Sequence, residues 1–312
     1  MQEGGVDAQE ARAVKPPLRS LLFVPGDSER KLEKSLDTSA DALIFDLEDA
    51  VAPERKSLAR EMVAQHLADR KANEGPQLWV RINPVNSESA TKELEAVCGQ
   101  NLTGIVLPKA EGPEDIRIVS SKLDELERGA ERPIAILPVV TETARAALTL
   151  HRYLDSDLPR LYGMTWGAED LSADIGATAN RDPDGRFAFT YRMVRSQALL
   201  AATAVGIEAI DTVYTDFRDI EGLREDSRRS YREGFSGRLA IHPAQVDIIN
   251  ESYSPAEEDI AHAERVVAAF EATSGMGTVG LEGKMLDRPH LLQAQKVLSL
   301  ASSITQAGRK SL

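Results

Sequence analysis

Apolar residues fall along this chain in short unbroken runs. Eight of them have the length of a strand: Ser20–Val24, Ala42–Leu47, Leu78–Ile82, Gly104–Leu107, Ile134–Val139, Leu161–Trp166, Glu208–Ile210 and Leu239–Ile241. Apolar side chains on consecutive positions are what a parallel strand covered on both faces requires. Between the runs lie segments of helical composition, among them Lys56–Ala72, Glu114–Gly129, Ala144–Leu154 and Phe189–Val205. Strand–helix alternation repeated eight times predicts an α/β fold, a closed (β/α)8 TIM barrel over residues 18–253. An open, doubly wound sheet is the alternative. The first strand leads into Pro25-Gly26-Asp27-Ser28, which lacks the spaced glycines of a dinucleotide-binding turn.

Beyond the eighth strand the pattern becomes helical. Ser254-Pro255-Ala256-Glu257-Glu258 reads as a helix start with Ser254 as cap, followed by a helix over Asp259–Thr273. A glycine-rich stretch, Gly275–Gly283, breaks it, and an amphipathic helix over Pro289–Ala301 follows. Residues 254–312 thus read as a C-terminal helical extension, a lid or swapped arm on a flexible linker. A helix packed on its own barrel is the alternative.

Charge and composition narrow the function. Thirty-seven Lys and Arg against 50 Asp and Glu leave a formal charge of −13 in 312 residues, which argues against a nucleic-acid surface. If the substrate is anionic, its counter-charge must be local. The lone cysteine, Cys98, allows no intrachain disulfide and reads as a small apolar residue. The longest apolar runs, such as Ala198–Ile207, fall short of the roughly 18 residues that span a bilayer, so no membrane partner is expected. Residues 1–17 mix glycine, alanine, acids and bases without an apolar stretch and read as a disordered tail rather than a signal peptide. The expected location is cytoplasmic, with an organelle matrix as the alternative.

In such a barrel the chemistry sits where the strands end at their C-termini. The sequence puts Pro25-Gly26-Asp27, Glu48-Asp49, Arg81-Ile82-Asn83, Pro108-Lys109, Glu142, Glu169-Asp170, Asp211 and His242-Pro243 on that rim. Five of these residues, Glu48, Asp49, Glu142, Glu169 and Asp170, are carboxylates. Crowding them in one mouth is costly unless a cation neutralises them. Oxygen-only donors point to Mg²⁺ first and Mn²⁺ second, and no His or Cys cluster has zinc spacing. Capping of the following helix is the competing reading of Glu48 and Asp49. His242 reads as a strand terminator, Met164 and Trp166 as core, and the arginines of Arg224–Arg232 as a solvated helix face.

Several segments carry a family resemblance. Arg19-Ser20-Leu21-Leu22-Phe23-Val24-Pro25-Gly26, Asp46-Leu47-Glu48-Asp49-Ala50-Val51, Arg81-Ile82-Asn83, Leu107-Pro108-Lys109, Gly167-Ala168-Glu169-Asp170-Leu171 and Ile241-His242-Pro243 resemble the citrate lyase β-subunit family. That family belongs to the HpcH/HpaI aldolase superfamily of (β/α)8 barrels. The likeness runs from about residue 18 to residue 304. Asp211-Thr212-Val213-Tyr214 and Gly283-Lys284-Met285-Leu286-Asp287 look closest to citramalyl-CoA and malyl-CoA lyases, which carry the C-terminal arm.

The resemblance implies a reversible, Mg²⁺-dependent Claisen cleavage. A 3-hydroxy-3-carboxyacyl-CoA (citramalyl-, malyl-, β-methylmalyl- or citryl-CoA) would give acetyl-CoA or propionyl-CoA and a 2-oxo acid. Coenzyme A enters as part of the substrate. Glu142 and Asp170 would ligate Mg²⁺, with Glu48 and Asp49 holding its waters and Arg81 binding a substrate oxygen. Asp287 would be the acid/base, delivered by a neighbouring subunit in a homo-oligomeric ring of three or six. Arg19 and Lys34 match residues that hold CoA phosphates in some relatives; at Ser28, where some lyases carry arginine, the chain departs, and Arg30 is a substitute. Two other readings remain open: a metal-dependent aldolase on free hydroxy-oxo acids, and a noncatalytic or complex-bound citrate lyase β subunit. A thioesterase side activity is a further option.

Overall fold

The computed structural model describes residues 17–70, 75–99, 101–127, 132–273 and 277–310, with 307–310 described by their backbone alone. Of the segment 1–17, read above as a disordered tail, residues 1–16 lie outside the described residues, as does Gly275, while Pro17 is described and buried. The chain divides into two compact units, one of residues Leu18–Tyr253 and one that includes Ser254–Leu312.

The larger unit carries eight parallel strands: β1 (Ser20–Pro25), β2 (Ala42–Asp46), β3 (Gln77–Arg81), β4 (Gly104–Leu107), β5 (Ala135–Pro138), β6 (Gly163–Thr165), β7 (Glu208–Asp211) and β8 (Gly237–Ala240). Their order is β5-β4-β3-β2-β1-β8-β7-β6. Parallel bridges Ile136↔Leu161 and Val139↔Thr165 join the two outer strands, with Tyr162 N–H donating to Ile136 O at 2.9 Å, so the sheet closes on itself. It is the (β/α)8 barrel expected from the alternation, not the open sheet. Around the strands run α1 (Glu29–Ser35), α2 (Lys56–Ala68), α3 (Glu88–Val97), α4 (Pro113–Leu126), α5 (Ala144–Leu148), α6 (Glu169–Asp174), α7 (Phe189–Ala204), α8 (Ile220–Glu233) and α9 (Val246–Ser252).

Alternate strand residues feed two cores. Leu22, Val24, Leu43, Phe45, Val80, Ile105 and Ile136 pack outward under the helices. Leu21, Ile44, Trp79, Val106, Leu137, Ile210 and Leu239 fill the interior. This double burial explains why the strands read as unbroken apolar runs. Trp79 plugs the interior, and Gly104 makes its room: a Cβ at that glycine would stand 2.2 Å from the indole ring.

In the smaller unit, α10 (Glu257–Ala272) begins two residues earlier than the sequence indicated and takes Ala256, not Ser254, at its cap position. The glycine-rich stretch is not simply a linker. Beyond Gly277 it forms an antiparallel hairpin, β9 (Thr278–Leu281) and β10 (Lys284–Asp287), ahead of α11 (Arg288–Lys310). Glu282 and Gly283 both have positive φ, 51° and 78°, the geometry of a tight two-residue hairpin turn. Val279 and Leu286 anchor the hairpin on Ala263 and Val266 of α10 and Ala294 of α11.

Candidate active site

The barrel folds so that one cross-strand pair begins the site. Asp46 and Arg81 end β2 and β3 and stand opposite each other in the register. Arg81 donates from Nε to Asp46 Oδ1 at 2.8 Å and from Nη2 to Oδ2 at 2.7 Å, with its Nη1 3.0 Å from Glu48 Oε2. The guanidinium also lies 4.7 Å from the centre of the Phe23 ring. Asp46 is 1% exposed and its oxygens further accept the Glu48 and Ala50 N–H groups. A forked arginine–carboxylate pair fixes orientation as well as charge.

Two residues past β4, Lys109 adopts a left-handed backbone, φ 50°. For a non-glycine residue this costs about 1–3 kcal/mol and points to a local demand on geometry. Its N–H donates to Glu142 Oε2. Its ammonium lies 2.5 Å from Glu48 Oε1, 3.5 Å from Asp170 Oδ1 and 3.7 Å from Asp49 Oδ2. One residue therefore touches all four of the carboxylates assigned to metal and water binding. Glu169, the fifth rim carboxylate, accepts instead from Asn180 Nδ2 at 2.8 Å.

The electrostatics follow from burial. Desolvation pushes the Glu142 carboxyl up to about 8, helped by the Asp170 and Glu48 charges and opposed by the Lys109 N–H. Desolvation likewise raises Glu48, while Arg81 and Lys109 pull it back. The Lys109 ammonium is pulled down by its own burial, but Glu48, Asp170 and Asp49 outweigh that and raise it above an ordinary lysine. Glu142 needs space beside β6, and Gly167 leaves it: a Cβ there would meet Glu142 Cγ at 2.8 Å.

The donor set suits a hard divalent ion: all-oxygen, buried at Glu48 and Glu142, partly open at Asp170, with Glu48 and Asp170 already on a positive charge. Glu48 Oε2 is buried, with Arg81 Nη1 at 3.0 Å but no aligned hydrogen bond. In this conformation, among the described residues, no three acidic, histidine or cysteine side chains stand at ion-ligating spacing.

A family model, HpcH/HpaI aldolase/citrate lyase, matches residues 19–243. The chain belongs to that family. The mitochondrial citramalyl-CoA lyase of Mus musculus is 36% identical over 303 residues, covering 93% of this chain and 88% of the relative. A (3S)-malyl-CoA thioesterase of Cereibacter sphaeroides is 35% identical, covering 92% and 96%. The Mycobacterium tuberculosis protein CitE, solved with magnesium, acetoacetate and coenzyme A, superposes with a TM-score of 0.74 at 36% identity, covering 93% of this chain and 99% of that one.

Within this family member, Glu48, Asp49, Arg81, Glu142 and Asp170 share the rim as the motifs suggested. Arg19 does not join them. It precedes β1, at the N-terminal end of the barrel, and its Nε and Nη2 fork onto Asp41 at 2.9 Å each. The first-loop motif placed it near the substrate, but residue 19 stands at the far end of a strand whose near end is Pro25. Lys34 is exposed on the last turn of α1, outside the barrel. Asp287 closes β10 in the smaller unit, half-exposed, with Oδ1 2.5 Å from His290 Nδ1.

Sequence reasoning gave no task to Asp46, Lys109 or His290. Asp46 was legible as the first residue of the Asp-Leu-Glu-Asp motif; the left-handed turn at Lys109 leaves no mark in the sequence. His242 is a cap: its Nδ1 accepts the Ala244 N–H at 3.2 Å, and its ring stacks on Phe217. Trp166 is buried and donates from Nε1 to Asp211 at 2.6 Å. Burial raises the Cys98 thiol, in keeping with an inert side chain.

Proposed function

We propose that this protein is a divalent-metal-dependent carbon–carbon lyase of the citrate lyase β/malyl-CoA lyase type. It cleaves a 3-hydroxy-3-carboxyacyl-CoA reversibly to acetyl-CoA or propionyl-CoA and a 2-oxo acid. The observation that carries this reading is the gathering of Glu48, Asp49 and Asp170 around the Lys109 ammonium, with Glu142 on the same residue's backbone N–H, beside the clamped Arg81. Relatives named for citramalyl-CoA cleavage, and a CitE structure holding magnesium, acetoacetate and coenzyme A, support it.

Glu142 and Asp170 would hold Mg²⁺, with Mn²⁺ as a substitute, and Glu48 and Asp49 would hold its waters. When bound, the ion supplies a Lewis acid for the oxygens of the 2-oxo acid. Arg81 adds a fixed charge and N–H donors where the hydroxyl oxygen gains negative character. As the carbon–carbon bond breaks, the hydroxyl gives up its proton to solvent and becomes the 2-oxo group, and the bond's electron pair leaves the thioester fragment as an enolate, which needs a proton. Asp287 would give it in cleavage and take it back in condensation. Delivery of Asp287 by a neighbouring copy, in a head-to-tail ring of three or six subunits, belongs to the same reading. No helix among the described residues is long and apolar enough to cross a membrane.

A second reading, hydrolysis of the thioester, is favoured by the relative named a (3S)-malyl-CoA thioesterase. A substrate panel separates the two. Citramalyl-, malyl-, β-methylmalyl- and citryl-CoA, each beside its free acid, are incubated with Mg²⁺. A lyase releases a 2-oxo acid and an acyl-CoA from one or more thioesters and leaves the free acids intact. Release of free CoA alone supports the thioesterase. Equal cleavage of the free acids supports the aldolase alternative and contradicts the CoA reading.

A further inference from the structure

Lys109 is held in place at two points. Its left-handed turn aims the backbone N–H at Glu142 and returns the side chain over the mouth, where the ammonium sits among Glu48, Asp49 and Asp170. It is two-thirds buried there. Four carboxylates converge on this rim, and a positive charge is what lets them do so. The ammonium meets that need, and it stands among the oxygens that a divalent ion would draw on. An ion about 2.0–2.1 Å from an Asp170 oxygen would stand within a few ångströms of an ammonium 3.5 Å from the same carboxylate, and two cations that close repel each other.

We propose that Lys109 is a tethered counter-cation: its ammonium competes with the divalent ion for Glu48, Asp49 and Asp170, and so sets the metal affinity of the site. This rests on the reading that the rim is the metal site. Metal entry requires the lysine stem to swing aside. Removing the ammonium leaves the carboxylates mutually repelled and the ion unopposed.

The test is binding of Mn²⁺, followed by electron paramagnetic resonance of the free ion, together with melting of the full chain with and without Mn²⁺. Lys109→Met is expected to bind Mn²⁺ about tenfold tighter than wild type, the scale of one neighbouring charge in a partly solvated site. It should also melt lower without metal and gain more on adding Mn²⁺. Unchanged or weaker Mn²⁺ binding by Lys109→Met overturns the proposal. Lys109→Gly, which suits the left-handed backbone, repeats the measurement if the methionine variant does not fold. Glu142→Gln and Asp170→Asn distinguish the two ideas. If both bind Mn²⁺ as wild type does while Lys109→Met binds tighter, the ligand assignment fails and the competition stands. If wild type binds no Mn²⁺, both fail.

Discussion

Arg81 does not reach into the barrel mouth alone: Asp46, its opposite neighbour across β2 and β3, grips it through two parallel hydrogen bonds of 2.8 and 2.7 Å. With Glu48 on the remaining nitrogen, the guanidinium has one orientation. A substrate oxygen gaining charge there, as proposed, would meet donors already in place, which is where electrostatic catalysis is strongest.

Arg81→Lys keeps the charge and loses the fork. Turnover should fall about 10²–10³-fold, as for loss of one donor to a developing oxyanion, with the fold intact by circular dichroism. Asp46→Asn should lower turnover as well and destabilise the chain, because a buried arginine loses its partner. Near-normal turnover by Arg81→Lys would show that the residue only braces the barrel.

A second buried network lies at the end of β7. Asp211, fully buried, takes Arg238 Nη2 at 2.8 Å and Arg195 Nη2 at 3.0 Å. Burial opposes its ionisation most, yet the two guanidinium groups prevail and hold its carboxyl well below the usual range. A carboxyl that ionises more readily folded than unfolded adds stability above its unfolded value of about 4, and that stability is lost as the pH falls further. Urea midpoints measured from pH 7 to pH 3 should therefore drop on the acid side. Asp211→Asn should cost about 3–5 kcal/mol at pH 7, as for breaking a buried pair, and flatten the acid-side drop. An equally steep acid limb in the variant would assign it to other carboxylates.

The barrel was legible because burial on both strand faces writes itself as unbroken apolar runs. The rim was legible because each strand end hands over one or two polar residues. The grip of Asp46 on Arg81 was not, since it depends on strand register across 35 positions. Nor was the role of Lys109, which depends on a backbone conformation. The hairpin Thr278–Leu281/Lys284–Asp287 read as a linker because its glycines masked two short strands with one buried residue each.

Asp287 sits on that hairpin, paired with His290, so its carboxylate is carried by a structured element. Asp287→Asn should slow deuterium exchange into the methyl group of acetyl-CoA about 10²–10⁴-fold, the usual share of general acid–base catalysis. Mn²⁺ binding should persist. Mixing it with Glu142→Ala should restore activity if one copy's Asp287 serves another's barrel. A mixture that stays inactive despite demonstrated subunit exchange would place both groups within one chain.

Cleavage of an acyl-CoA carbon–carbon bond by the acidic rim, charged with a divalent ion, has a direct readout. It is tested most directly by product stoichiometry on the best thioester of the panel, with Mg²⁺, with EDTA, and with Glu142→Gln. The expected result is one 2-oxo acid and one acyl-CoA per substrate consumed, none with EDTA, recovery on adding Mg²⁺, and little or none from the variant. Free CoA with an intact hydroxy acid, or cleavage indifferent to EDTA and to Glu142→Gln, would contradict it.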